Sequence, residues 1–202
     1  MGASDPESPS LEGSGVRFEC TKCGACCRQD ELLVTVTASD IVRLGAGLGL
    51  NAIELTRALD FYVLDSEPIP HGLRHIPRIL TERGLAYVAL RKLENGDCVF
   101  LKDDICMIHS IRPAVCRSFP FVFRAQDKDM KWGLSAMKDI CPGLGQGEEV
   151  PLNYLRDLGS SVLSDLASYS KLAQRWNKTG SELSAIDYII YAIESLSEKT
   201  RQ

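Results

Sequence analysis

Eight cysteines carry most of the chemistry available to this 202-residue chain, and half of them fall in one run, Phe18-Glu19-Cys20-Thr21-Lys22-Cys23-Gly24-Ala25-Cys26-Cys27-Arg28. Steps of three residues on a tightly turning backbone let thiolates converge on one centre, as they do in zinc knuckles and iron–sulfur loops. Cys26 and Cys27 stand apart from that pattern. Adjacent side chains diverge in most backbone conformations, so the pair is expected to divide between two centres, and the loop then needs partners elsewhere. Cys98, Cys106, Cys116 and Cys141 can supply them. Taken singly, each reads as a small buried apolar residue. Taken with the first four, they complete two four-thiolate sites with none left over.

The run Cys20-x-x-Cys23-x-x-Cys26, with a distant Cys141-Pro142, is similar to the ligand run of cubane ferredoxins. The spacing therefore favours an iron–sulfur cluster, with zinc as the other reading. Either kind of four-thiolate centre carries a net charge near −2, so two of them call for cations close by. Lys22, Arg28, Arg112 and Arg117 lie within a few residues of candidate ligands and are expected to face sulfur. His109, three residues after Cys106, could complete a zinc site, although eight thiols suffice without it. His71 and His75 are four apart, but Pro70 and Pro77 spoil the helix that would bring them together. No Ser-His-Asp or paired-carboxylate constellation can be assigned, so no residue is named as catalytic.

The elements that must position these thiols are short. Leu32 to Val36 reads as a buried strand, Thr37 or Ser39 caps a helix, and Asn51 caps a second one from Ala52 to about Phe61. The Ile41–Gly49 stretch invites comparison with the glycine-rich turn of a nucleotide or S-adenosylmethionine site, with Asp65 after a second apolar run. The βα alternation of such a fold does not continue beyond Asp65, so two short helices joined by glycine turns are expected, with Gly49 near a helix end. A helix-turn-helix is weaker still, because the second helix carries two acids against one Arg.

Glu67 to Gly84 should be a loop with one helical turn near Ile79. Leu85–Leu90 and Cys98–Leu101 read as strands around the turn Glu94-Asn95-Gly96-Asp97, and Lys102-Asp103-Asp104 turns again into Ile105–Ile108. Phe119–Phe123 and Lys131–Leu134 form a further hairpin, turning at Gln126–Asp129. Leu152, Leu155, Leu158, Val162, Leu166, Tyr169 and Ala173 keep helical spacing until Asn177–Gly180 breaks it, and Ser181 can cap a last helix. That pair is expected to form an antiparallel hairpin, a face through which a homodimer could also form.

Composition sets the surroundings. Residues 1–15 are rich in Pro, Gly, Ser and acids and read as a disordered arm; Pro6 spoils a myristoylation motif. No signal peptide and no membrane-length apolar run is evident, which suggests a cytoplasmic protein without a membrane partner. Thiols in that compartment stay reduced, which points to metal chemistry rather than a disulfide framework. A formal charge of −4 argues against a nucleic-acid partner.

The chain between about Phe18 and Gly147 resembles a known family. Cys-x-x-Cys-Gly-x-Cys-Cys-Arg at residues 20–28, Gly96-x-Cys98-x-Phe100-Leu101, Cys106, Arg112-Pro113-x-x-Cys116-Arg117-x-Phe119-Pro120-Phe121 and Cys141-Pro142-Gly143 look like the CxxCxxCC zinc- or iron-chelating family, also called YkgJ-type cysteine cluster proteins. The resemblance implies a bound zinc or iron–sulfur centre. A related cysteine cluster occurs in flagellin lysine methylases, so a metal-stabilised protein methyltransferase is the alternative to a redox or accessory factor. The expected architecture is α+β: the arm 1–15, a cysteine-cluster domain over 16–150, and a helical hairpin over 151–202 packed on it. An unidentified protein partner and a monomer or homodimer complete the expectation.

Overall fold

The computed structural model describes residues 15–29, 32–64, 69, 71–126, 129–135, 138–179 and 184–199. Of the features read from sequence, the arm before Gly15, Asp65, the turn residues Asp127 and Lys128, and Ser181 lie outside the described residues. Strand β1 (Arg17–Phe18) leads into the cysteine loop. Helix α1 (Ala38–Leu48) begins where Thr37 and Asp40 cap each other: the Asp40 amide donates to Thr37 Oγ1 at 3.2 Å and the Thr37 amide to Asp40 Oδ2 at 3.0 Å. It ends at Gly49, as expected, but it runs through Gly45 and Gly47, where a glycine turn was expected. Asn51 and Glu54 repeat the reciprocal cap at α2 (Ala52–Leu55).

Helix α2 is shorter than the expected run to Phe61. Leu59 and Phe61 instead alternate inward on β2 (Leu59–Val63). That strand pairs along its whole length with β4 (Gly84–Leu90), the middle of an antiparallel sheet in the order β2-β4-β3, where β3 is Ile79–Thr81. The expected helical turn near Ile79 is therefore a strand: Ile79 and Thr81 face the core, and the Thr81 hydroxyl closes the turn by donating to the Gly84 carbonyl at 2.9 Å. Val34 to Val36 runs along β4 past the end of β3 but makes only one bridge, Thr35 to Ala89, in place of the expected strand.

The hairpin of β5 (Leu101–Lys102) and β6 (Ile105–Cys106) turns through Asp103 and Asp104, both with left-handed backbone, φ 48° and 66°. This is the twist a two-residue hairpin turn requires. Cys98 contributes one bridge to Lys92 rather than a strand. Helix α3 (Ala114–Ser118) follows, then the hairpin β7 (Phe121–Gln126) and β8 (Asp129–Leu134), and β9 (Leu144–Glu149), which pairs with β1.

Helices α4 (Leu152–Trp176) and α5 (Ala185–Lys199) complete the α+β fold. Ser184 and Asp187 exchange the capping bonds at the start of α5. Helix α5 packs on α1 and α2, while α4 packs on α1, α3, β3 and the β7–β8 hairpin. Tyr169, Leu172, Trp176, Tyr188 and Ile189 lie in one buried core with Ile41, Leu44, Leu59, Val88 and Leu90. A smaller cluster of Phe121, Val150 and Leu155 sits beneath the second hairpin, with Phe18 edge-on to Phe121 at 5.5 Å. Among the described residues no helix is long and apolar enough to cross a membrane.

Candidate metal centre

Two glycines shape the cysteine loop. Gly24 has φ 71°, and a Cβ there would press on Leu101 Cδ1 at 2.9 Å and the Asp104 carbonyl at 3.0 Å, so the bend tolerates only glycine. Lys22 is also left-handed, at φ 55°. The Cys27 amide then donates to the Gly24 carbonyl at 2.9 Å, closing a 3₁₀ turn over Ala25–Cys27 that presents both adjacent cysteines. Gly143 is the second: a Cβ on it would collide with the Glu19 carbonyl, and the Glu19 amide donates to the Gly143 carbonyl at 3.1 Å. That close approach brings Cys141 alongside Cys20.

The other wall is anchored from below. Asp40, only 1% exposed, accepts from the Ala114 amide at 3.0 Å and pairs with Arg43. Arg43 donates in turn to the Ile111 and Arg112 carbonyls, each at 3.4 Å. The start of α1 thus holds the segment that carries Arg112 and Cys116. On the β5–β6 side, Arg28 pairs with Asp104 and donates to the Cys23 carbonyl at 3.3 Å, tying loop to hairpin. The sequence did not reveal the Asp40 anchor; its only signal was an acid at the third position of a helix, which a cap also explains.

Seven of the eight cysteines, Cys20, Cys23, Cys26, Cys27, Cys106, Cys116 and Cys141, line one cavity of about 60 Å³ together with His109, Arg112, Phe18, Phe119 and Ile140. Cys98 does not line it. Its side chain is 4% exposed and belongs to the core behind, while its amide donates to the Cys27 carbonyl at 2.8 Å. His75 is likewise absent from the lining, and the His71 side chain lies outside what the structure describes. Among the described residues, no group of three His, Cys, Asp or Glu side chains already has the spacing of a bound ion's ligands.

Cys26 and Cys27 do not diverge as expected; the 3₁₀ turn sends both into the cavity, and the Cys27 side chain hydrogen-bonds to Cys26 and to Cys106. Hydrogen bonding with the Cys27 side chain is the main reason that Cys26 is lowered to about 7 and Cys106 to about 6. The same two bonds, with burial behind them, push Cys27 up. Burial pushes up Cys98, Cys116 and Cys141.

The four candidate cations fare differently. Arg112 Nη1 reaches Cys20 Sγ at 3.8 Å and His109 Nε2 at 3.1 Å, and its charge helps to lower Cys26 and Cys106. Lys22 lines the cavity and, after burial and Arg112, lowers the His109 imidazole. Arg28 pairs with Asp104, and Arg117 turns towards Asp165 at 3.9 Å.

A cavity walled by thiols and faced by a guanidinium has the donor set of a cysteine-rich metal chelator. The chain belongs to the CxxCxxCC family, whose domain is described as a "putative zinc- or iron-chelating domain" and whose model matches residues 19–142. The uncharacterized protein MJ0661 of Methanocaldococcus jannaschii is 24% identical over 173 residues, covering 80% of this chain and 81% of its own. No solved structure matches the chain.

Proposed function

We propose that the cavity holds an iron–sulfur centre and that the protein serves as a redox or accessory factor in a reducing compartment such as the cytoplasm. One observation carries this reading: seven thiols line one shared cavity, more than a single four-ligand ion needs. A structural zinc site asks for four ligands around one ion at about 2.3 Å from each sulfur. A cavity of about 60 Å³ has room for several water-sized atoms, at roughly 10–15 Å³ each, and so favours a polynuclear group. Cys26, Cys27, Cys106 and Cys116 are its inner ligands, and the cluster would supply one-electron chemistry. Phe18, Phe119 and Ile140 exclude water, and Arg112 offsets the thiolate charge, which raises the potential of such a centre.

The methyl-transferring alternative asks for an S-adenosylmethionine pocket. The stretch that most suggested one, Ile41–Gly49, is taken up by α1 and its cap. Anaerobic purification followed by a visible spectrum and iron, sulfide and zinc analysis tests the proposal. A brown protein with comparable iron and labile sulfide is expected; a colourless one carrying only zinc replaces iron–sulfur with zinc.

A further inference from the structure

Cys98 was expected to supply the eighth thiol of two four-ligand centres, yet it lies behind the cavity wall. The lining thiols are therefore one donor short of two such centres, and the cavity contains one further metal-type donor, His109. Its Nε2 stands 3.9 Å from Cys20 Sγ. Two donors bound to one tetrahedral ion, with metal–sulfur near 2.3 Å and metal–nitrogen near 2.0–2.1 Å, stand about 3.6 Å apart. The observed pair is already within a few tenths of an ångström of that separation.

A positive group is already seated on this pair. Arg112 Nη1 lies 3.1 Å from His109 Nε2 and 3.8 Å from Cys20 Sγ. A guanidinium only donates, so Nε2 is the acceptor in this contact and its lone pair is directed at the cation. The sulfur and nitrogen lone pairs thus converge on one cationic atom, as they would on a metal.

We propose that His109 is a metal ligand, bound through Nε2 beside the Cys20 thiolate at the mouth of the cavity, and that Arg112 gives up its place between them when the metal enters. The metal bound there has mixed imidazole and thiolate ligation, and the cavity lining offers further thiols, Cys141 among them. The centre accordingly has two unlike ends: an inner one of thiolates around Cys26, Cys27 and Cys106, and an outer one carrying a neutral ligand. Replacing thiolate by imidazole lowers the negative charge and raises the potential of an iron site.

This inference rests on the reading that the cavity binds metal, and X-ray absorption at the edge of whichever metal the anaerobically purified full-length protein carries can separate the two. Wild type should show nitrogen at about 2.0–2.1 Å with imidazole outer-shell scattering beside sulfur at about 2.3 Å. His109→Ala should lose that scattering. His109→Cys should keep the metal while exchanging nitrogen for sulfur, which preserves the test if the alanine variant fails to fold. An all-sulfur shell in wild type, or imidazole scattering that survives in either variant, overturns the assignment of His109 alone. Protein that purifies without metal and takes up neither iron nor zinc overturns both readings.

Discussion

The Cys98 amide donates to the Cys27 carbonyl across 2.8 Å, while the Cys98 thiol is turned into the main core and not into the cavity. The residue holds the cysteine loop by its backbone and fills the core with its side chain. Cys98→Ser places a hydroxyl in that core at a cost of about 1–3 kcal/mol, which should lower the urea midpoint. Metal per protein should stay at the wild-type value. Cys106→Ser should do the reverse, losing metal with less effect on the metal-free fold; equal metal loss from both would make Cys98 a ligand.

Metal should hold the cysteine loop to the rest of the fold. Few apolar residues lie between Phe18 and Gln29, and closing the roughly 80 residues from Cys27 to Cys106 costs about 4 kcal/mol. Thiolate coordination can offset this, since a structural zinc site contributes about 10–16 kcal/mol at neutral pH. Stripping metal under reducing conditions is expected to accelerate amide exchange over residues 18–29 and 98–118, with much less change in α4 and α5. Unchanged protection of the loop would mean that its hydrogen bonds suffice.

Asp40 is the residue whose loss should damage stability and site together. Asp40→Ala leaves Arg43 and the Thr37 and Ala114 amides without their carboxylate. Removing one partner of a buried pair costs about 3–5 kcal/mol, and the partly exposed Arg43 places the effect near the lower figure. The segment bearing Arg112 and Cys116 loses its anchor as well, so metal content should fall in parallel with the urea midpoint.

Asp165 should behave oppositely. Burial first, and the neighbouring Asp40 charge second, raise its carboxyl above the ordinary value near 3.8, although Arg117 lies 3.9 Å away. A carboxyl raised in the folded state favours folding only below its unfolded value and weighs against it as pH rises through the folded one. Asp165→Asn is therefore expected to leave stability unchanged or raise it at pH 7, with that advantage disappearing below about pH 4. Denaturant midpoints across pH 3–7 check the sign.

Caps and hairpins were legible because their causes are local. Thr37 with Asp40 and Asn51 with Glu54 mark helix starts within four residues, and the turn at Asp103-Asp104 declares itself by composition. Residues 56–63 misled because β2 draws its stability from β4, more than twenty residues away, which outweighs the helical spacing after Asn51. The cysteines could be named as a set but not sorted. Whether a thiol faces the cavity, as Cys106 does, or the core, as Cys98 does, depends on contacts made after the chain has folded back on itself. The same holds for the cations: Arg117 follows Cys116 directly and Arg112 stands four residues before it, yet it is Arg117 that turns to Asp165 on α4 and Arg112 that reaches a sulfur.

The outer edge of β3 has an effect beyond the chain itself. Leu80 offers its amide to Asn177 Oδ1 and its carbonyl to Trp176 Nε1, both at 2.8 Å, and Asn177 Nδ2 takes the Arg78 carbonyl at 3.0 Å. An open strand edge is a template on which a second chain can add its own strand, the first step of edge-to-edge aggregation. Here two side chains at the end of α4 occupy the pairing positions that such a strand would need. The sheet is closed on that side by its own helix, so a second copy of the chain has no free edge there on which to add a strand.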